Sequence, residues 1–204
     1  PPGRPGTAKV VGASDSPGDP RVPAGTLVLS EITENDDKWF RLTIKKTKAG
    51  GIMQISEFGL YALDGSRQNL NLTAKNYGTP AQDLTPGTFC KAANYASGNS
   101  KEDADKIFDD STATKWCATS VSMNNPSDSG TWRVITMRLA NSAKPVSSYN
   151  FCSANDATPD RNPISWLVES SPDGINWTTV AEVSDDTHTA TATYTWFNSG
   201  TPYA

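Results

Sequence analysis

The chain has 204 residues, enough for one domain with a real hydrophobic core, and carries a formal net charge of -4 at a sequence pI near 5.0. That balance lacks the electrostatic attraction that drives binding to phosphate backbones or anionic lipid, so nucleic acid is not an expected partner. No apolar run is long enough to cross a bilayer, and the N-terminus lacks the basic and apolar regions of a signal peptide, so membrane insertion is not expected and the sequence reads as soluble, whole or as a piece of something longer.

In chain order, residues 1 to about 25 (PPGRPGTAKVVGASDSPGDPRVPAG) are dense in proline, glycine and small polar residues without periodicity, and read as a linker or loosely held arm. From there the pattern is β. KWFRLTIKK, GIMQISEFGLYAL, TWRVITMRLA, SSYNFCSA, ISWLVESS, WTTVAEVS and TATATYTWF are short, rich in β-branched and aromatic residues, and punctuated by Gly, Pro, Asn and Asp. Near-strict alternation in FRLTIK and ATATYTWF predicts strands with one face on a core and one in water. With no long amphipathic segment between them, these pieces predict an all-β, antiparallel sandwich or barrel. Asp173-Gly174 in SPDGINW predicts a hairpin turn. The longer loops at 64–87, 97–106, 122–130 and 155–163 are where a β scaffold carries binding residues.

Catalysis finds no foothold here. The single histidine, His188, lies in an alternating segment and reads as a solvent-facing or edge-strand residue; no phosphate loop, HExxH or zinc cluster occurs. Asp36-Asp37, Asp109-Asp110 and Asp185-Asp186 are adjacent in sequence, whereas glycosidase carboxylates face each other across a cleft. Cys90, Cys117 and Cys152 match neither a metal nor a redox spacing; they read as buried small hydrophobes, with one disulfide as the lesser alternative.

The stretch ADKIFDDSTATKWCA (104–118) concentrates hard oxygens in a short loop ahead of a core strand. Ca2+ takes about six to eight oxygens, and Asp109 for charge with Ser111 and Thr114 for hydroxyls or carbonyls would suit it, Trp116 anchoring the exit strand. A capped turn, in which Asp and Ser bond their own backbone amides, accounts for the spacing equally well.

FDDSTATKW also resembles the FDG-x-x-x-T-x-W signature of the discoidin, or coagulation factor 5/8 type C, superfamily. These are galactose-binding-like β-sandwiches and include the family 32 carbohydrate-binding modules. TWRVITMRLA resembles the W-x-x-V-x-L strand that follows, and PVSSYNFCSAND the next strand and its exit loop. NPISWLVESSPDGINWTTV resembles the family hairpin P-x-x-F/W-x-V/L-x-x-S-x-D-G-x-x-W. Together they cover about half of the chain in the family's order. The resemblance implies a jelly-roll sandwich with a structural Ca2+ in the loop corresponding to 106–114, taking Asp109, Ser111, Thr114 and carbonyls near Lys106 and Thr114.

One departure matters. WFRLTIKKTKAGG and IMQISEFGLYALDG resemble the family's closing strand pair, yet they come first in this chain. The resemblance therefore implies either one circularly permuted sandwich over 26–204 or the tail of one tandem repeat joined to the body of the next. A body missing its closing strands would expose sheet edges, which favours permutation. Glu57, at the place of the family's metal-reaching glutamate, is then expected to return to the loop around Asp109.

For function, the resemblance implies a non-catalytic carbohydrate-binding module tethered to other modules of a longer secreted or cell-surface protein, with glycans as partners and galactose-type sugars as the family default. Asn155, Asp156 and Arg161 are the expected polar contacts and Tyr95 the expected aromatic platform. The competing reading is a protein-interaction or spacer module with the same fold and no sugar site.

Overall fold

A computed structural model describes residues 36–70, 75–77, 90–93, 102–119, 122–156, 158–200 and 202–204. The 1–25 arm and Tyr95 lie outside the described residues. The described residues form ten strands: β1 Trp39–Thr47, β2 Met53–Ile55, β3 Glu57–Tyr61, β4 Lys75–Tyr77, β5 Cys90–Ala93, β6 Trp116–Ala118, β7 Arg133–Arg138, β8 Ser148–Cys152, β9 Pro163–Ser171 and β10 Thr178–Val183. One layer is a six-stranded sheet in the order β10-β9-β1-β7-β5-β4, antiparallel except for the parallel β4–β5 pair. Two short antiparallel pairs, β2–β6 and β3–β8, supply the rest of the strand pairing. The protein is an all-β, antiparallel β-sandwich.

β1 shows why this sequence makes the sheet. Its residues Phe40, Leu42 and Ile44 are apolar at every second position and buried, while Arg41 and Lys45 on the opposite face are only partly buried, so one face can meet a core. Lying at the centre, β1 pairs Leu42 with Ile135 of β7 on one side and with Val168 of β9 on the other. The core between the layers is largely aromatic. Phe151 of β8 meets Trp166 of β9 edge-on at 5.0 Å and Phe58 of β3 at 5.1 Å. Trp116 is fully buried, as expected of a residue that anchors the strand after the oxygen-rich loop.

The SPDGINW turn joins β9 to β10 as the sequence predicts. Gly174 has φ +76, which glycine adopts freely, and Asp173 Oδ1 accepts the backbone N–H groups of Ile175 and Asn176, both at 2.8 Å. TATATYTWF, in contrast, is not a strand. Only Ala190 and Phe197 reach the core, Tyr194 takes a left-handed φ of 54, and the segment's backbone pairs with β8 at one isolated bridge, Trp196 to Cys152, beside the packing of Phe197 on Phe151. Alternating Ala and Thr bury too little apolar surface to hold a sheet edge, so the middle of the segment loops into solvent. Cys117 and Cys152 are buried free thiols, and burial raises both above the usual thiol value.

Candidate functional site

Three of the four expected glycan contacts lie in described residues, and two buried side chains draw them together. Asn155 and Asp156 leave the end of β8, and Arg161 approaches the start of β9. The intervening loop is pinned at both ends. Ser153 Oγ donates to the Ala192 carbonyl at 2.7 Å, and the buried Asn162 amide donates to the Ala190 carbonyl at 2.9 Å. Beneath the loop lies Gln54 of β2, 1% exposed, whose backbone N–H donates to the Arg161 carbonyl at 3.1 Å. Lys115, immediately before β6, reaches the same point because β6 is the partner of β2.

The Lys115 ammonium donates to Gln54 Oε1 at 2.9 Å, Asn155 Oδ1 at 2.8 Å and Asp156 Oδ1 at 3.0 Å, with Glu102 Oε1 at 3.7 Å. Gln54 Nε2 donates to Asp156 Oδ1 at 2.6 Å, and Arg161 Nη1 sits 3.3 Å from Gln54 Oε1 and 3.6 Å from Asp156 Oδ2. Burial alone would raise the Asp156 carboxyl, but the Gln54 amide, Lys115 and Arg161 outweigh it and hold it below the usual carboxylate value. Two cations, Lys115 and Arg161, stand against two carboxylates, Glu102 and Asp156, so the cluster has no strong preference for a charged ligand. Its outer rim offers the exposed Asn155 amide, the Asp156 carboxylate and the half-buried Arg161 guanidinium. Among the described residues no protein group takes the Asn155 Nδ2 or the Arg161 Nη2 hydrogens. Donors and an acceptor held side by side in this way suit the vicinal hydroxyls of an uncharged sugar. Sequence reasoning missed Gln54 and Lys115; a polar residue between Met53 and Ile55, and a lysine directly before a core tryptophan, were the available signals.

The oxygen-rich loop forms a second cluster. Glu57, 2% exposed, lies against it: Ser111 N–H donates to Glu57 Oε1 at 2.8 Å. Lys106 Nζ is 3.8 Å from Asp109 Oδ2, and Thr114 Oγ1 lies 2.8 Å from both Asp109 oxygens. Arg67, which sequence reasoning left in a loop, enters between these groups. Its Nη2 donates to Glu57 Oε2 at 2.5 Å, to the Phe58 carbonyl at 2.8 Å and to the Ile107 carbonyl at 3.4 Å, while Nη1 pairs with Asp110. Burial pushes the Glu57 carboxyl up to about 7, with the Arg67 hydrogen bond and charge and the Ser111 amide pulling it down.

This donor set does not fit Ca2+ as it stands. The Thr114 hydroxyl donates to the Asp109 carboxylate and the Ser111 carbonyl, the Ser111 hydroxyl oxygen accepts the Ala113 N–H, and Asp109 is turned into its own loop as a capped turn requires. A guanidinium holds the Glu57 oxygen that an ion would need. Arg67, Gln68, Asn69 and Asp110 form the polar side of a cavity of about 250 Å3 whose apolar side is Phe58, Leu60, Leu70, Phe108 and Met137.

His188 is 61% exposed, and its Nδ1 lies 3.1 Å from Asp186 Oδ1. The other Asp186 oxygen accepts the Tyr203 hydroxyl at 3.0 Å, and Tyr203 stacks on Tyr149 at 5.4 Å. No described serine or cysteine bonds to the ring, and the Asp186 carboxylate ties down residue 203. In comparisons with known proteins, the chain matches no family model, no curated protein and no solved structure.

Proposed function

We propose that this domain is a non-catalytic carbohydrate-binding module, carried within a longer secreted or cell-surface protein, that takes neutral glycans of the galactose type on the Asn155, Asp156 and Arg161 rim. The observation that carries the reading is the rigid polar base of Gln54 and Lys115, which orients three sugar-competent side chains from one loop before any ligand arrives. The resemblance of FDDSTATKW and NPISWLVESSPDGINWTTV to the galactose-binding-like modules supports it. A few hydrogen bonds on one loop give an expected Kd of about micromolar to millimolar, or roughly -4 to -8 kcal/mol.

A second reading rests on a specific fact. Every N–H of the Lys115 ammonium already has a protein acceptor, so the cluster is equally the brace of a loop in a protein-interaction or spacer module with no sugar site. Titration against a broad panel of neutral and acidic glycans, followed by nuclear magnetic resonance, separates the two. Glycan-dependent shifts at residues 155–161 that vanish in Arg161→Ala and Asn155→Ala support the sugar site. A folded wild-type domain with no shift on any glycan leaves the brace as the reading.

A further inference from the structure

We propose that the Arg67 guanidinium is the built-in cation of the loop spanning residues 102–114, so that this domain joins its N-terminal strands to that loop without a metal ion. The loop brings Asp109 and Asp110 close to the buried Glu57, an arrangement that needs positive charge among its oxygens. Arg67 supplies it with a planar fork. Two of its nitrogens touch two carboxylates and two carbonyls drawn from three places: Glu57 and Phe58 in β3, Ile107 in the 3-10 turn at Ala104–Phe108, and Asp110 after it. Carboxylates and carbonyls are also the oxygen types that make a Ca2+ shell, and an ion bound to Glu57 Oε2 would face like charge at the 2.5 Å contact already formed there.

The backbone delivers Arg67 to this point. Residues 61–67 form a tight turn in which Ala62 N–H donates to the Ser66 carbonyl at 3.0 Å and Gly65 takes a φ of +79. Asp64 Oδ1 accepts the Ser66 N–H at 3.0 Å and its hydroxyl at 2.6 Å, and Arg67 is thereby bridged to Tyr61 at the end of β3. Asp110 adopts a left-handed φ of 57, a cost to a residue with a side chain, and in that conformation its carboxylate reaches Arg67. Asp109 needs no ion either, since Thr114 and Ser111 donate to it.

Thermal unfolding of the whole chain in EDTA and in excess calcium chloride tests the proposal, together with calorimetric titration of calcium chloride alone. The wild-type melting temperature is expected to be the same in both solutions, with no heat of Ca2+ binding. Arg67→Met should lower it by roughly 5–10 °C in either solution, the loss typical of one member of a largely buried pair. Arg67→Lys, which keeps the charge and loses the fork, should fall between the two. Should Arg67→Met fail to fold, the metal comparison on the wild type still decides. A wild-type melting temperature that drops on chelation and returns with Ca2+ overturns the proposal, as does an Arg67→Met protein as stable as the wild type.

Discussion

Replacing Lys115 with methionine keeps the aliphatic stem and removes the ammonium that holds the candidate site together. Three acceptors lose a donor, but they do not lose equally. Gln54 Oε1 is buried and retains only the 3.3 Å contact to Arg161, so its loss falls in the range of about 1–3 kcal/mol for an unsatisfied buried acceptor. Asp156 is 52% exposed along its side chain and Asn155 is exposed, so water replaces much of what they lose and the two together contribute no more than about 1 kcal/mol. The sum, about 1–4 kcal/mol, corresponds to a fall in melting temperature of roughly 2–15 °C. Urea unfolding monitored by tryptophan fluorescence measures the free energy, and amide spectra of residues 153–162 report whether the loop has loosened. A stability change below about 0.5 kcal/mol with unmoved loop signals would refute the claim that Lys115 organises this end of the domain.

Alkali should destabilise the protein through its buried tyrosines. Burial pushes Tyr149 up to about 12, and burial followed by the Asp186 charge raises Tyr203, so above the ordinary value of 10.0 the folded chain holds protons that the unfolded chain releases. Stability is then complete below about pH 10 and falls by about 1.4 kcal/mol per pH unit for each such tyrosine above it; urea curves from about pH 9 to about pH 11 should show a smaller slope in Tyr203→Phe. Residues 102–204 expressed alone should not fold, because β7 and β9 would lose β1 from between them and the core would lose Phe40, Leu42, Ile44, Met53, Ile55, Phe58 and Leu60. A cooperative unfolding transition of that fragment in circular dichroism would count against this.

Much of the sandwich was legible in the sequence because its strands carry large apolar side chains at strict alternation. FRLTIK puts Phe40, Leu42 and Ile44 on one face, and the structure buries all three. ATATYTWF has the same period, but its first four residues offer only alanine and threonine, and there the period misled. The candidate site was half legible for a related reason. Asn155, Asp156 and Arg161 advertise themselves as a polar loop, whereas Gln54 reaches Asp156, Lys115 reaches Gln54 and Arg67 reaches Asp110 across 102, 61 and 43 residues of sequence, respectively. Pairings of that length depend on strand order, which no local pattern reveals.

The segment MQISEFGL shows how both clusters depend on a single slip in phase. Met53 and Ile55 of β2 face the core, and a strand continuing past Ile55 without interruption would turn Glu57 inward and Phe58 outward. The ladder breaks at Ser56 instead. Its N–H donates to the Cys152 carbonyl at 2.9 Å and its hydroxyl to the Ser153 carbonyl at 2.5 Å, so β2 leaves its partner β6 and β3 begins beside β8. After the break Phe58 and Leu60 take up the core positions, and Glu57 turns to the loop at Ser111 while Gln54, on the other side of Ser56, lies under the loop at Asp156. One serine thus separates two polar side chains three positions apart and commits each to a different cluster. Both clusters form only when the strands before residue 62 dock on the body that follows. The polar rim proposed to meet a glycan is therefore a product of the completed sandwich, and no loop carries it alone.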